Sequence, residues 1–448
     1  MLTLRRSLVF AALAVFTILS PALARAEELV VHEWGTFTCL QDENGKGVGG
    51  INTDDEPVPD FVHNIAQGLL IPTRDGQPSR SKSIPRCHTD VTMRLETPII
   101  YFYPEKDFHG RFGVTVQCFR GWLTQYFPDA TAEASGIRGD QIGSLERGGY
   151  GRLEWKDVSL GDSNEGPATS SLVWTTPRRV EAATVEVKGE HEKFLFYRGV
   201  ANLPAPLSVV RSGPELTITK TAPADAAERE SDIRELWLLD VRSDGSAAFR
   251  VVRPFAQAPA FVAKTPVQFD PADYGSGATK DLKTSMHEAL VRAGLFKDEA
   301  DALLDTWRVS YFKSPGLRLF FLVPEKWTNA TLPLRIRRWP HEPPLHPTIT
   351  RVMVGRIEIV SPEQRALLAQ LSDVSATAAL GDAPQSLSAD AEKVNVSERY
   401  QTYLRLGRFR NALVLDERKR RPGPGLDAFI KHFELEAYVP PKNGLGGR

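Results

Sequence analysis

Cysteine is scarce in this chain: its 448 residues include three, Cys39, Cys87 and Cys118. So few cysteines exclude a disulfide-dense scaffold. The absence of a CxxC pair or a Cys/His pair at ligand spacing removes any structural zinc motif. The count still allows one disulfide, and we predict Cys39–Cys87 because both residues lie in turn-rich segments. Cys118 shares a strand face with Val114 and Val116, so we expect a small buried apolar residue there.

Long hydrophobic runs are missing beyond residue 26, so we predict no integral membrane span in the rest of the chain. The apolar stretch Leu8–Leu19 is too short for a convincing span. It follows Arg5 and Arg6 and precedes the small-residue site Ala24-Arg25-Ala26. This order is typical of a cleavable signal peptide. We predict that residues 1–26 are removed near Ala26 and that the protein is periplasmic or secreted.

The chain also has no excess of basic over acidic residues. Without the predicted signal peptide, 422 residues remain, with 52 Lys and Arg against 56 Asp and Glu, a net charge near −4. Because phosphate backbones require a basic surface, this balance argues against nucleic acid as the main partner. A chain of this length predicts two or more domains.

The familiar catalytic signatures are absent. The sequence has no HExxH, no GxSxG and no glycine-rich loop followed by Lys-Ser/Thr. No catalytic residue is therefore predicted, and whether the protein is an enzyme stays open.

The pattern that is present is mainly β. Short strand-like segments with turn residues every 8–12 positions favour an antiparallel β-sandwich-like domain over residues 27–265. Residues 275–372 read as an α+β domain that begins with a helical hairpin, and residues 373–391 as a flexible linker. A helical C-terminal segment is predicted for residues 392–448.

The first strand-like stretch, Val30–Thr38, brings together a histidine, a carboxylate and a tryptophan. Strand alternation places His32 and Trp34 on one face and Glu33 on the other, more apolar face. A carboxylate buried there needs a cationic or hydrogen-bonding partner, and we predict Arg94.

Two sets of site residues follow from these strands. A divalent metal site, for Zn²⁺ or Ca²⁺, would draw on His32, His63, His88 and Asp90, because imidazole and carboxylate suit such ions and positions 88 and 90 share a strand face. The acidic loop Asp54-Asp55-Glu56 adds further oxygen ligands. A glycan or other small extracellular ligand would instead be bound by His32, Trp34, Glu96 and Trp122, with the aromatic rings stacking on the sugar.

Two basic clusters stand apart from these sets. Arg335, Arg337 and Arg338 lie near Trp339, and Arg418 to Arg421 precede a Pro-Gly repeat. The second cluster fits either anionic envelope lipid or glycan, or a solvated helix end.

Five strings resemble an uncharacterised family of exported bacterial proteins: VVHEWGTFT (Val30–Thr38), INTDDEPVP (Ile51–Pro59), RLETPIIYFYP (Arg94–Pro104), EKFLFYRGV (Glu192–Val200) and RVMVGRIEIVSPEQ (Arg351–Gln364). The resemblance implies export and carries no activity with it. The sequence thus predicts an exported envelope or secreted protein that binds a glycan or other extracellular ligand or has a structural role. The alternative is a metal-dependent periplasmic hydrolase.

Overall fold

The computed structural model describes residues 29–52, 58–65, 80–81, 84–106, 108–138, 141–161, 166–221, 233–255, 261–340, 345–373, 398–435 and 437–440. Their strands are β1 Leu29–Gln41, β2 His63–Asn64, β3 Arg80–Ser81, β4 Ile84–Pro85, β5 Met93–Pro104, β6 Arg111–Phe119, β7 Gly121–Phe127, β8 Thr131–Ala134, β9 Ile137–Arg138, β10 Gln141–Ile142, β11 Tyr150–Gly161, β12 Thr184–Val187, β13 Glu190–Glu192, β14 Leu195–Ala201, β15 Leu207–Ser212, β16 Glu215–Lys220, β17 Leu236–Val241, β18 Ala247–Val252, β19 Val262–Pro266, β20 Gly316–Val323, β21 Leu334–Trp339 and β22 Thr348–Ile359.

The helices are α1 Leu172–Thr175, α2 Ala278–Arg292, α3 Lys297–Thr306, α4 Arg308–Phe312, α5 Glu325–Thr331, α6 Pro362–Leu371, α7 Glu398–Arg405, α8 Arg410–Arg420 and α9 Pro424–His432. Within the described ranges, no helix has both the length and the apolar character needed to cross a bilayer.

Strand β1 is the middle strand of a nine-stranded sheet with the order β18-β17-β20-β22-β1-β5-β14-β7-β2. It runs parallel to β22 and antiparallel to β5. Twelve of its thirteen residues are buried, as expected for a central strand covered on both faces. The VVHEWGTFT string therefore occupies the centre of the fold.

One face of this sheet packs on the smaller sheets to form a sandwich. The six strands β13-β12-β11-β6-β21, with β8 beside β11, and the three strands β15-β16-β19 lie opposite it. Val31 and Phe37 from β1 share this core with Val114 from β6 and Ile218 from β16. The expectation of a mainly β, sandwich-like fold is confirmed.

The other face of the nine-stranded sheet is covered by helices. Helices α2 to α4 pack there around Trp34, and α6 to α9 pack around a separate core that includes Trp122. The predicted helical hairpin is α2 and α3, and the turn between them contains Gly294 with φ 110°. The predicted C-terminal helices are also confirmed, as α7 to α9.

The sheets continue past the predicted boundary near residues 265–275. β20 and β22 belong to the nine-stranded sheet, and β21 is the edge strand of the six-stranded sheet. The two predicted regions therefore share their sheets and one sandwich core. The predicted signal peptide, residues 1–26, and all of the predicted linker except Asp373 lie outside the described residues.

Candidate functional site

His32 ties the central strand to a helix. Its Nδ1 lies 2.8 Å from Oε2 of Glu299, which also accepts a hydrogen bond from the Phe296 backbone N–H at the start of α3. The Tyr103 hydroxyl donates to the other oxygen of Glu299 at 2.8 Å. His32 is 4% exposed, and its contact with Glu299 anchors α3 onto the sheet.

The other predicted metal ligands lie elsewhere. His63, on the edge strand β2, contacts Glu190 at 2.8 Å. His88 Nε2 lies 3.1 Å from the Gly143 carbonyl oxygen, and its Nδ1 accepts from the Asp90 backbone N–H at 3.2 Å. Burial lowers the pKa of His88 although the neighbouring Asp90 opposes that shift.

The Asp90 carboxylate binds the loop that contains Ser144 and Leu145. It accepts hydrogen bonds from the Ser144 hydroxyl at 2.6 Å and the Leu145 backbone N–H at 3.0 Å. His32, His63 and the His88–Asp90 pair thus occupy three separate places, since they belong to the sheet centre, the sheet edge and a loop. Across the described ranges, no three His, Cys, Asp or Glu side chains are arranged to hold a metal ion. The acidic loop residues Asp54, Asp55 and Glu56 lie outside the described residues.

The residues predicted to bind a glycan are likewise spread over different cores. Trp34 and Trp122 are both 0% exposed and belong to separate helix-facing cores. The Trp122 indole N–H donates to the Ser135 carbonyl at 2.7 Å. Neither ring offers a face to a sugar.

The predicted Cys39–Cys87 disulfide is not formed, and all three cysteines are buried thiols. Cys39 faces the sandwich core, whereas Cys87 belongs to the core beneath the C-terminal helices. The two side chains are therefore on opposite sides of the central sheet. Burial raises the pKa of Cys39 and of Cys118 to about 12, so neither of these two is a reactive thiolate at neutral pH.

Glu33 is buried on the sandwich face, as predicted, but its partner is not Arg94. Arg351 of β22 is paired with it in register, and Nε of Arg351 lies 2.5 Å from the carboxylate. The Tyr197 hydroxyl donates to the second oxygen at 2.6 Å. Glu33 is fully engaged inside the protein.

Arg94, the predicted partner of Glu33, belongs instead to a larger group of arginines on the helix-facing side of the same sheet. We call it the arginine cluster, and its members are Arg94, Arg198, Arg318, Arg356 and Arg408. Four of them are 0–2% exposed, and the Arg408 side chain is 15% exposed. Two buried carboxylates, Glu96 and Glu358, lie among them.

Strand register explains why these side chains meet. Thr38 of β1 is paired with Arg356 of β22 on one side and with Arg94 of β5 on the other. Directly paired residues on adjacent strands project from the same face about 5 Å apart. Thr38 therefore stands between two buried guanidinium-bearing side chains.

Ion pairs neutralise part of this charge. Glu96 contacts Arg94 at 2.9 Å and Arg408 at 3.1 Å. Glu358 contacts Arg318 at 3.2 Å, and Nε of Arg356 donates to it at 2.7 Å. Each carboxylate is thus shared by two arginines.

Arg318 has a structural role within the cluster. Its two terminal nitrogens donate to four backbone carbonyls, those of Ser310, Tyr311, Ser314 and Pro315, at 2.6–3.1 Å. A cation at the C-terminal end of α4 satisfies carbonyls that the helix leaves unbonded. Above it, the Tyr311 hydroxyl hydrogen-bonds to Thr36 of β1.

Burial is the largest cause of the lowered arginine pKa values in the cluster, and neighbouring arginines add to it. Burial, together with Arg408, Arg356 and Arg198, lowers the pKa of Arg94 to about 9 against the opposing effect of Glu96. Burial and the neighbouring Arg356 and Arg408 lower the pKa of Arg318 to about 10, although Glu358 opposes them. Among the described residues, Glu96 and Glu358 are the carboxylates that contact the cluster, and buried charges of this kind need such partners.

Thr38 and Arg356 each contribute a donor to the cluster. Nη1 of Arg356 and Oγ1 of Thr38 are buried without a hydrogen-bond partner among the described residues. Buried donors are normally satisfied, so each such atom calls for an explanation. Arg356 and Thr38 are direct cross-strand neighbours on β22 and β1.

The turn between α7 and α8 covers the cluster. Gly407, with φ 83°, reverses the chain there, and the ring of Phe409 lies 5.5 Å from the Arg94 guanidinium and 5.8 Å from that of Arg408. Arg408 is the member of the cluster with the most contact with solvent. The solvent side of the site is therefore this turn.

The five sequence strings that define the resemblance converge on this cluster. They supply Thr36 and Thr38, Arg94 and Glu96, Arg198, and Arg356 and Glu358, while the Ile51 carbonyl accepts from Arg94 at 3.4 Å. Sequence reasoning did not identify the site, yet a signal exists. Both β5 and β22 contain Arg-x-Glu within an otherwise apolar strand, in Arg94-Leu-Glu96 and Arg356-Ile-Glu358.

No family model and no curated protein matches the chain. Among solved structures, the yeast delta-COP-I mu-homology domain resembles it over 74% of this chain and 96% of that domain, with 8% identity and a TM-score of 0.26. So distant a likeness indicates neither a fold family nor a function.

Proposed function

We propose that this protein is exported and binds a small ligand through an oxyanion, a phosphate or carboxylate group, held in the arginine cluster. The observation that carries the proposal is the pair of buried donors, Nη1 of Arg356 and Oγ1 of Thr38, on adjacent strands. Arginine is the side chain best suited to hold such groups, because its fork of N–H donors matches two oxygens at once.

The surroundings support a bound anion in preference to a metal ion or a neutral ligand. Arg356 is cationic and lies beside Thr38 and Arg94 in register across the sheet, and a guanidinium group binds oxyanions and is not a metal ligand. Export is supported by the arginine, apolar and Ala-Arg-Ala pattern of residues 1–26.

The test is thermal unfolding of the protein without residues 1–26 in inorganic phosphate, in acetate and in sodium chloride at equal ionic strength. A ligand that binds only the folded state stabilises it by about 2.7 kcal/mol at a hundredfold excess over its Kd. We expect phosphate or acetate to raise the midpoint above that in chloride, and Thr38→Val to reduce this rise. Arg308→Gln, which removes an exposed arginine, should leave it unchanged.

An equal midpoint in all three salts would overturn the proposal. The variant with Asp54, Asp55 and Glu56 replaced by amides would then give the reason. Phosphate binding that appears only in this variant would show that the chain supplies its own anions. Cleavage after Ala26, read from the N-terminal mass of the exported protein, tests export separately.

A further inference from the structure

A groove runs over the outer face of the six-stranded sheet, on the far side of the sandwich core from the arginine cluster. It has a volume of about 290 Å³, and its lining comes from β6, β8, β11 and β21. The floor is formed by outward-facing positions of β6, including Thr115 and Gln117, while Val114 and Val116 between them face the core. The alternation of β6 therefore separates a buried face from an open polar one.

The two walls of the groove differ in charge. On the β11 side, Arg152 forms ion pairs with Glu133 at 2.9 Å and with Glu154 at 3.1 Å. On the β21 side, Arg335 and Arg337 are exposed, and no described carboxylate forms an ion pair with either of them. The β21 wall is thus a strip of available positive charge, with the two guanidinium groups on alternate residues of one strand.

Aromatic rings frame the same groove. Trp339 follows Arg337 on the same face of β21, and its ring lies over Gly113, where an added Cβ would sit 3.8 Å from it. Tyr150 lies on the opposite wall and accepts a hydrogen bond from the Gln117 side-chain amide at 2.7 Å. Rings beside amide, hydroxyl and guanidinium groups are the combination that binds sugar rings with attached carboxylates.

We propose that this groove binds an acidic polysaccharide, with Arg335 and Arg337 paired to uronic acid carboxylates and Trp339 stacked on a sugar ring. The proposal is independent of the arginine cluster and of any ligand held there. A membrane surface is the less suitable partner, because lipid binding requires exposed apolar side chains that insert between lipids. Of the large apolar side chains that are exposed in the described ranges, none lines the groove.

Electrophoresis of the protein without residues 1–26 through gels containing polygalacturonate tests the inference, with dextran as the neutral polymer. We expect polygalacturonate, and not dextran, to retard the protein. Arg335→Gln/Arg337→Gln should weaken binding about tenfold or more, because charge-assisted hydrogen bonds to carboxylates are worth that much. Trp339→Ala should weaken it too.

The matched control is Arg308→Gln/Lys313→Gln, which removes the same charge from exposed positions on and beside α4. This control should be retarded like the wild-type protein. The inference fails if polygalacturonate leaves the wild-type protein unretarded, or if both double variants lose retardation equally. It also fails if sedimentation with phosphatidylglycerol vesicles shows binding that depends on Arg335 and Arg337 while polygalacturonate shows none.

Discussion

Glu33 and Arg351 lie side by side where β1 runs parallel to β22, and their side chains meet at 2.5 Å in the sandwich core. Both side chains are almost wholly withdrawn from solvent, at 0% and 2% exposure. Tyr197 donates to the carboxylate from β14, two strands away. The acid of the HEW triplet is therefore a tie between central strands.

Glu33→Gln should lower the free energy of unfolding by about 3–5 kcal/mol, because it leaves the Arg351 charge buried without a counter-charge. The measurement is urea unfolding at neutral pH. The matched control is Glu215→Gln, which breaks an exposed cross-strand pair with Lys264 at 2.7 Å and should cost less than about 1 kcal/mol. Equal costs for the two substitutions would contradict the structural role of Glu33.

Thr36 and Thr38 provide a second comparison, since both are buried on the helix-facing side of β1. The Thr36 hydroxyl bonds to Tyr311, whereas that of Thr38 has no partner among the described residues. Without added anions, Thr38→Val should change the unfolding free energy by less than about 1 kcal/mol.

Thr36→Val should cost about 1–3 kcal/mol, because it leaves the Tyr311 hydroxyl buried without its partner. Urea unfolding of the two variants in the same chloride buffer decides the point. A larger loss from Thr38→Val than from Thr36→Val would show that the Thr38 hydroxyl is bonded in the folded protein.

The local patterns of the sequence predicted much of this fold. Alternation placed Val31 and Trp34 of β1 on the correct opposite faces. The helical hairpin predicted at the start of residues 275–372 is α2 and α3. These features depend on residues a few positions apart, so the local periodicity of the sequence is enough to predict them.

The pairing of strands across the sheet leaves no such local pattern in the sequence. Alternation gives the face of Glu33 but not the strand beside it, so Arg94 was chosen where Arg351, 318 positions away, is the partner. Alternation also fails at Thr97, where φ is 47° and the register with β1 shifts. After that irregularity, Leu95 and Ile100 share the sandwich core despite their opposite parity. The arginine cluster could not be assembled from the sequence because it depends on this long-range register.

The cysteines should behave as three separate buried thiols. Because burial raises the pKa of Cys39 and Cys118 to about 12, a thiol reagent at pH 8 should react slowly with the folded protein. Unfolding in urea without a reductant should then release three reactive thiols, and dithiothreitol should leave the thermal midpoint unchanged. One reactive thiol after unfolding would restore the disulfide prediction.

Acid should weaken the contact between the β1 loop and the C-terminal helices. Partial burial opposes ionisation of Glu43, but a backbone hydrogen bond together with Arg365 and Arg420 lowers its pKa from 4.5 to about 2. Between these values the unfolded chain binds more protons than the folded one, so stability falls as pH falls. The contribution is complete above about pH 5 and is lost by about pH 2.

Glu43→Gln should therefore lower the urea midpoint at pH 7 and flatten its decline between pH 4.5 and 2 relative to the wild-type protein. The difference between the two proteins isolates Glu43 from the other carboxylates that titrate in this range. Glu363→Gln is the control, because that side chain is 73% exposed and contacts Arg405 at 3.3 Å. Its acid profile should follow the wild type, since exposed ion pairs contribute little. Parallel acid profiles for Glu43→Gln and the wild-type protein would show that Arg365 and Arg420 do not hold the Glu43 carboxylate in solution.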